Sequence, residues 1–176
     1  MKTITSYRDV IIASAAVVGL SAAVVLAYVA VLNPIADAQQ IVTDPDAVLE
    51  VEEIRIKTTN GQFSFSAEIA DEEHERSTGL MFRTAMKPTH GMLFDFGTTG
   101  PVSMWMENTH LPLDMIFIRP DGSVARIARN TVPFSREIIS STEPVSHVLE
   151  LNAGISAQIG LKPGDTVHHR FFGNAE

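Results

Sequence analysis

The sequence predicts a mainly β domain, a compact antiparallel sandwich or small barrel with one or two short helices, preceded by an N-terminal apolar helix. Three observations carry this prediction. From residue 54 onward, short runs alternate apolar and polar residues between turns rich in Gly, Pro and Asn. Helical patterns in that region are brief. Upstream, Val10 to Leu32 contains no charged residue.

The apolar segment comes first. At about 1.5 Å per residue its helix reaches about 34 Å, enough to cross a hydrocarbon core about 30 Å thick. Lys2 and Arg8 precede it, which keeps the N-terminus in the cytoplasm and sends the rest of the chain to the periplasmic face. Residues 1–38 then have two readings. The apolar run exceeds the roughly 7–15 residues of a signal-peptide core, which favours an uncleaved anchor. Asn33-Pro34 breaks the helix and Ala36-Asp37-Ala38 is an A-x-A site, which favours cleavage after Ala38. Either way the cytoplasmic membrane is a partner of this segment.

Residues 39–53 carry Asp44, Pro45, Asp46, Glu50, Glu52 and Glu53 and read as an acidic linker. Residues 54–172 form the β domain. Ile54 and Ile56 alternate with Arg55 and Lys57, Asn60-Gly61 makes a hairpin turn, and Phe63, Phe65, Ala67 and Ile69 alternate in the returning strand. Asp71 is the expected N-cap of a short helix through Thr78, with acidic residues at its positive end and Gly79 as its stop. Further strands are expected at 92–96, ended by Gly97 to Pro101, and at 102–106, 115–118, 123–128 and 147–151. Asn152 is the expected cap of a helical turn through Ile159, and residues 166–172 the final strand.

Charge and composition exclude several functions. The net charge is −8, and residues 1–38 are balanced, so the whole deficit falls on residues 39–176. Such a domain repels phosphate backbones, which argues against nucleic acid as a partner. The absence of cysteine removes disulfides, thiolate chemistry and Cys acylation together. No G-x-S-x-G elbow, P-loop or G-x-G-x-x-G is present, and His74-Glu75 is followed by Thr78 where H-E-x-x-H needs its second His. No cofactor is implied.

Several blocks carry a resemblance. Arg76-Ser77-Thr78-Gly79-Leu80-Met81-Phe82-Arg83, Gly91-Met92-Leu93-Phe94, Trp105 to Asp114, Val148 to Gly154 and Gly164-Asp165 stand in the order found in the DUF192 (UPF0127) family, which residues 54–170 therefore resemble. The resemblance implies a compact, mainly β domain, often behind a signal or anchor, and no particular reaction.

Two constellations compete for a function. Arg76, Arg83, Trp105, Glu107, Asn108, Thr109 and Asp114 make a polar block beside the single tryptophan, as the rim of a ligand pocket requires. The plainer reading is that Asn108, Thr109 and Asp114 satisfy loop backbone groups and the arginines pair with nearby acids. Met92, Met104 and Met106 with His90 and His110 offer thioether and imidazole ligands suited to Cu(I). Methionine filling core space is the plainer reading there. The expected function is non-catalytic binding of a small ligand, peptide or partner protein outside the cytoplasmic membrane. A copper- or metal-handling accessory protein and a small hydrolase are the alternatives.

Overall fold

The computed structural model describes residues 49–175. The apolar segment and most of the linker lie outside the described residues. Among the described residues, no helix is long and apolar enough to cross a membrane.

The chain opens on a hairpin. Strand β1 (Val51–Thr58) begins inside the segment read as linker and pairs antiparallel with β2 (Gly61–Ala70). Thr58 fixes the tip: its Oγ1 accepts from Asn60 N at 3.0 Å and donates to the Ile159 carbonyl at 2.9 Å. Helix α1 (Glu73–Thr78) follows, with Glu72 rather than Asp71 as its N-cap. Glu72 and Glu75 form a reciprocal capping box, so the acidic run defines the helix start one residue later than expected.

After α1 the chain returns as β3 (His90–Gly100), which lies parallel to β2. The sheet is therefore not purely antiparallel as the sequence suggested. The nineteen or so residues between β2 and β3, roughly the length a parallel crossover needs, make this pairing possible. Strand β3 also runs through Gly97, which was expected to end it. The pairing register shifts between Asp95 and Gly100, and Gly97 adopts φ +67°.

Residues 102–106 are mostly loop. Only β4 (Ser103–Met104) is strand, paired with β7 (Ile139–Ser140) in a separate two-stranded sheet. The main sheet takes β5 (Leu113–Ile118), β6 (Val124–Ala128), β8 (Val145–Asn152) and β9 (Thr166–His168). Helix α2 (Ile155–Gln158) sits between β8 and β9. Its N-cap is Gly154, because Asn152 belongs to β8 and donates to the carbonyls of Met86 and Lys87. The last expected strand stops at His168, and Arg170–Phe172 form a 3-10 turn.

The seven strands run in the order β6-β5-β8-β3-β2-β1-β9 and curl into a half-barrel. Its outer strands approach each other at one end. Ser123 bridges Thr166, Val124 N donates to the Asp165 carbonyl, and Val167 N donates to the Gly122 carbonyl, both at 2.8 Å. Gly122 is required there: at φ +83°, a Cβ would stand 2.5 Å from the Val167 carbonyl oxygen.

Both faces of the sheet are buried, which explains why β5 reads as LDMIFI with every residue enclosed. Ile54, Ile56, Phe65, Leu93, Ile116 and Leu149 fill the concave side. Met92, Phe94, Leu113, Met115, Phe117 and Val148 pack on the convex side under Leu80, Val102 and Met106. Period-two alternation assigns successive residues of β3, β5 and β8 to the two layers.

Candidate functional site

Most of the expected polar block is structural. Asp114 is fully buried. Its Oδ1 accepts from Asn130 N at 2.9 Å, and its Oδ2 accepts from Gly154 N at 3.0 Å and Ser156 N at 2.9 Å. It therefore caps α2 from a neighbouring strand, the role its own N-cap glycine has no side chain to fill. Thr109 is buried and donates to the Glu107 carbonyl at 3.1 Å. Glu107 pairs at 2.6 Å with the exposed Arg136.

Arg83 holds a carboxylate in a fork, but the carboxylate is the chain's own Glu68. His90 Nε2 stands 2.8 Å from the same carboxylate. Burial pushes Glu68 upward, yet the hydrogen bonds from Arg83 and His90 outweigh it and hold the group below its usual range. Arg76 donates to the carbonyls of Asp71 and Asp95, the latter at 2.9 Å.

The methionine and histidine set is spread over different settings. Met92 and Met106 are closed to solvent in the convex layer, and Thr131 Oγ1 contacts the Met106 sulfur at 3.1 Å. Met104 packs partly buried against that layer. His90 is engaged by Glu68, and His110 meets the Phe134 ring edge-on at 4.8 Å between centroids. Among the described residues, no three His, Asp or Glu side chains gather where a metal ion would fit.

Arg76, Trp105 and Thr109 do come together, along a cleft of about 230 Å³ on the convex side. The end of α1 and the turn after it supply one wall, with Arg76, Leu80 and Met81. Phe94 and Phe96 of β3 supply another, and Met104 of β4 with Trp105 after it the third. Trp105 is 44 % exposed, an apolar ring left partly open to solvent at this cleft.

The residue that sequence reasoning passed over is Glu150, which also lines the cleft. It is only 4 % exposed, and on the neighbouring strands it stands opposite Met92 and Met115, both fully buried. No donor among the described residues reaches its carboxyl group, and burial alone pushes it up to about 8. At neutral pH it is therefore mostly a protonated acid facing an apolar cleft. Its signal in the sequence was a lone Glu inside the apolar run Val148 to Leu151, at a position facing the same side as Val148.

The loops bordering the cleft hold three non-glycine residues in the left-handed region. Phe82, Asn108 and Phe134 have φ of 63°, 55° and 61°. Phe82 N donates to the Asn108 carbonyl at 2.9 Å and Phe134 N to the Thr109 carbonyl at 3.2 Å. Both phenylalanines are more than half exposed. For a bulky side chain this backbone is strained, and the hydrogen bonds across the loops hold it there.

Fold and site together define a class: a small β domain with a half-barrel sheet and a cleft built over one buried carboxyl. The model of the DUF192 family, described as "Uncharacterized ACR", matches residues 54–169. The chain belongs to that family. Among solved structures it is similar to a protein from Sinorhizobium meliloti 1021 described as "a putative transcription regulator". The two are 47 % identical, the match covers 72 % of this chain and 98 % of that one, and the TM-score is 0.70. A protein of unknown function from Novosphingobium aromaticivorans DSM 12444 is 37 % identical over 71 % of this chain and 89 % of that one, with a TM-score of 0.69. No curated protein matches the chain.

Proposed function

We propose that this domain is a non-catalytic binding module that takes a small ligand in the cleft between α1, β3 and Trp105, on the outer side of the cytoplasmic membrane. The observation that carries the reading is Glu150: its carboxyl lies in the cleft lining with no hydrogen-bond donor among the described residues, and a ligand supplies that partner. Apolar walls with a few enclosed polar groups are the usual build of a small-molecule site. The location is supported by the uncharged stretch from Val10 to Leu32 behind Lys2 and Arg8. The description of the Sinorhizobium relative would imply DNA, but a net charge of −8 opposes a phosphate backbone.

Trp105 is the single tryptophan and lines the cleft, so its emission reports occupancy. A set of small amines, alcohols, amides and acids titrated against the full chain should include members that shift this emission saturably, and Met81→Phe, which narrows the cleft without adding a second tryptophan, should weaken the response. A set in which no compound saturates would overturn the cleft. Protease added to intact spheroplasts should digest the domain, and protection would overturn the location.

A further inference from the structure

The chemistry of the cleft narrows what it takes, given the binding role proposed above. We infer that its ligand is an organic ammonium ion, seated with its charge on the Glu150 carboxylate and its carbon skeleton against Phe94, Phe96 and Trp105.

Three features of the cleft point to a cation. Its lining holds two carboxyl groups, Glu73 and Glu150, against a single guanidinium, that of Arg76. Arg76 is directed at the carbonyls of Asp71 and Asp95 and makes no ion pair with Glu150. Beside serine and threonine hydroxyls and Leu80, the rest of the lining holds three aromatic rings and the thioethers of Met81 and Met104, surfaces that attract an organic cation and bind an anion poorly. The wider field agrees in sign, because the chain carries a net charge of −8.

Protonation does not prevent this. With the Glu150 carboxyl pushed up to about 8, ionising it at pH 7 costs only about one pK unit of affinity, roughly tenfold. A charge-assisted hydrogen bond from the ammonium to the carboxylate offsets that cost. A neutral carbonyl ligand would instead accept a hydrogen bond from the protonated acid and would lose it above pH 8. The two ligand classes thus have opposite pH dependence. In volume, about 230 Å³ corresponds to roughly eight waters at about 30 Å³ each, which suits a ligand of modest size rather than a folded partner.

The test uses 2-phenylethylamine, 2-phenylethanol and phenylacetate on the full chain, followed by Trp105 emission and by calorimetry. The amine should bind at least tenfold more tightly than the alcohol, and phenylacetate more weakly than either. Its affinity should rise about tenfold from pH 6 to pH 7, and binding at pH 7 should release roughly 0.9 proton per amine. Glu150→Gln removes a buried acid without changing shape, so it should fold, bind the amine at least tenfold more weakly and lose the pH dependence. If the alcohol binds as well as the amine, or Glu150→Gln binds the amine unchanged, the ammonium inference falls and the cleft reading stands. If none of the three probes shifts Trp105, the ammonium inference falls. If the wider compound set also fails, the cleft reading falls with it.

Discussion

At the scale of single residues, Asp114 and Glu150 show how position decides the fate of a carboxylate. Both lie on central strands and both are buried. Asp114 faces the open end of α2 and receives three backbone N–H groups. Glu150 faces methionines and receives none among the described residues. Asp114→Ala should strand all three donors and cost about 3 kcal/mol, seen as a lowered denaturation midpoint with an unchanged slope. Asp114→Asn keeps an acceptor oxygen and should recover part of that loss. Neither change should alter the affinity of a cleft ligand for the folded protein, and a selective loss of binding would return Asp114 to the site. The sequence singled out Asp114 and passed over Glu150. Only the partners brought by distant segments separate them, and those partners, Asn130, Gly154 and Ser156 for one and Met92 and Met115 for the other, carry no local signature.

At the scale of elements, the hairpin, α1 and the strands with alternating residues were legible because each is specified by near neighbours. Asn60-Gly61 and the pattern from Phe63 to Ile69 needed nothing beyond their own segment. The parallel contact of β2 with β3 was not legible, because alternation gives a strand a face and not a neighbour. The same limit hid β7, whose two residues are strand only because Ser103 and Met104 lie beside them. It also extended the expected strand at 102–106 and the final strand beyond the residues that find a partner. Gly91 makes the point energetically. A Cβ there would stand 2.5 Å from the Glu150 carbonyl oxygen and 2.7 Å from Leu151 Cδ2, where β3 and β8 pair. Gly91→Ala should therefore lower stability by about 2 kcal/mol through overpacking, measured by urea denaturation. A neutral outcome would mean that the two strands can part without cost.

At the scale of the whole molecule, buried titratable groups set how stability follows pH. Glu150 is raised to about 8 in the folded state, so the folded chain holds more protons than the unfolded chain above pH 4.5, and stability falls as pH rises toward 8. His147 and His169 are held below their usual value of 6.5, first by burial, and their contribution is lost as pH falls below 6.5. Asp95 opposes that shift at His147, as Glu52 does at His169. Between pH 6.5 and 8 the Glu150 effect acts without opposition from these histidines. The chain should lose about 2 kcal/mol over that interval, and Glu150→Gln should be flat there. Equal slopes for the two proteins would show that Glu150 ionises freely. The closure of the sheet has a different consequence. Hydrogen bonds from Val124 N to the Asp165 carbonyl and from Val167 N to the Gly122 carbonyl occupy backbone groups at one end of both outer strands, and β9 is only three residues long. That end of the sheet is closed as a template on which a strand of another molecule could add. At that end, neighbouring copies therefore stay separate folded units, without recruiting one another into extended sheets.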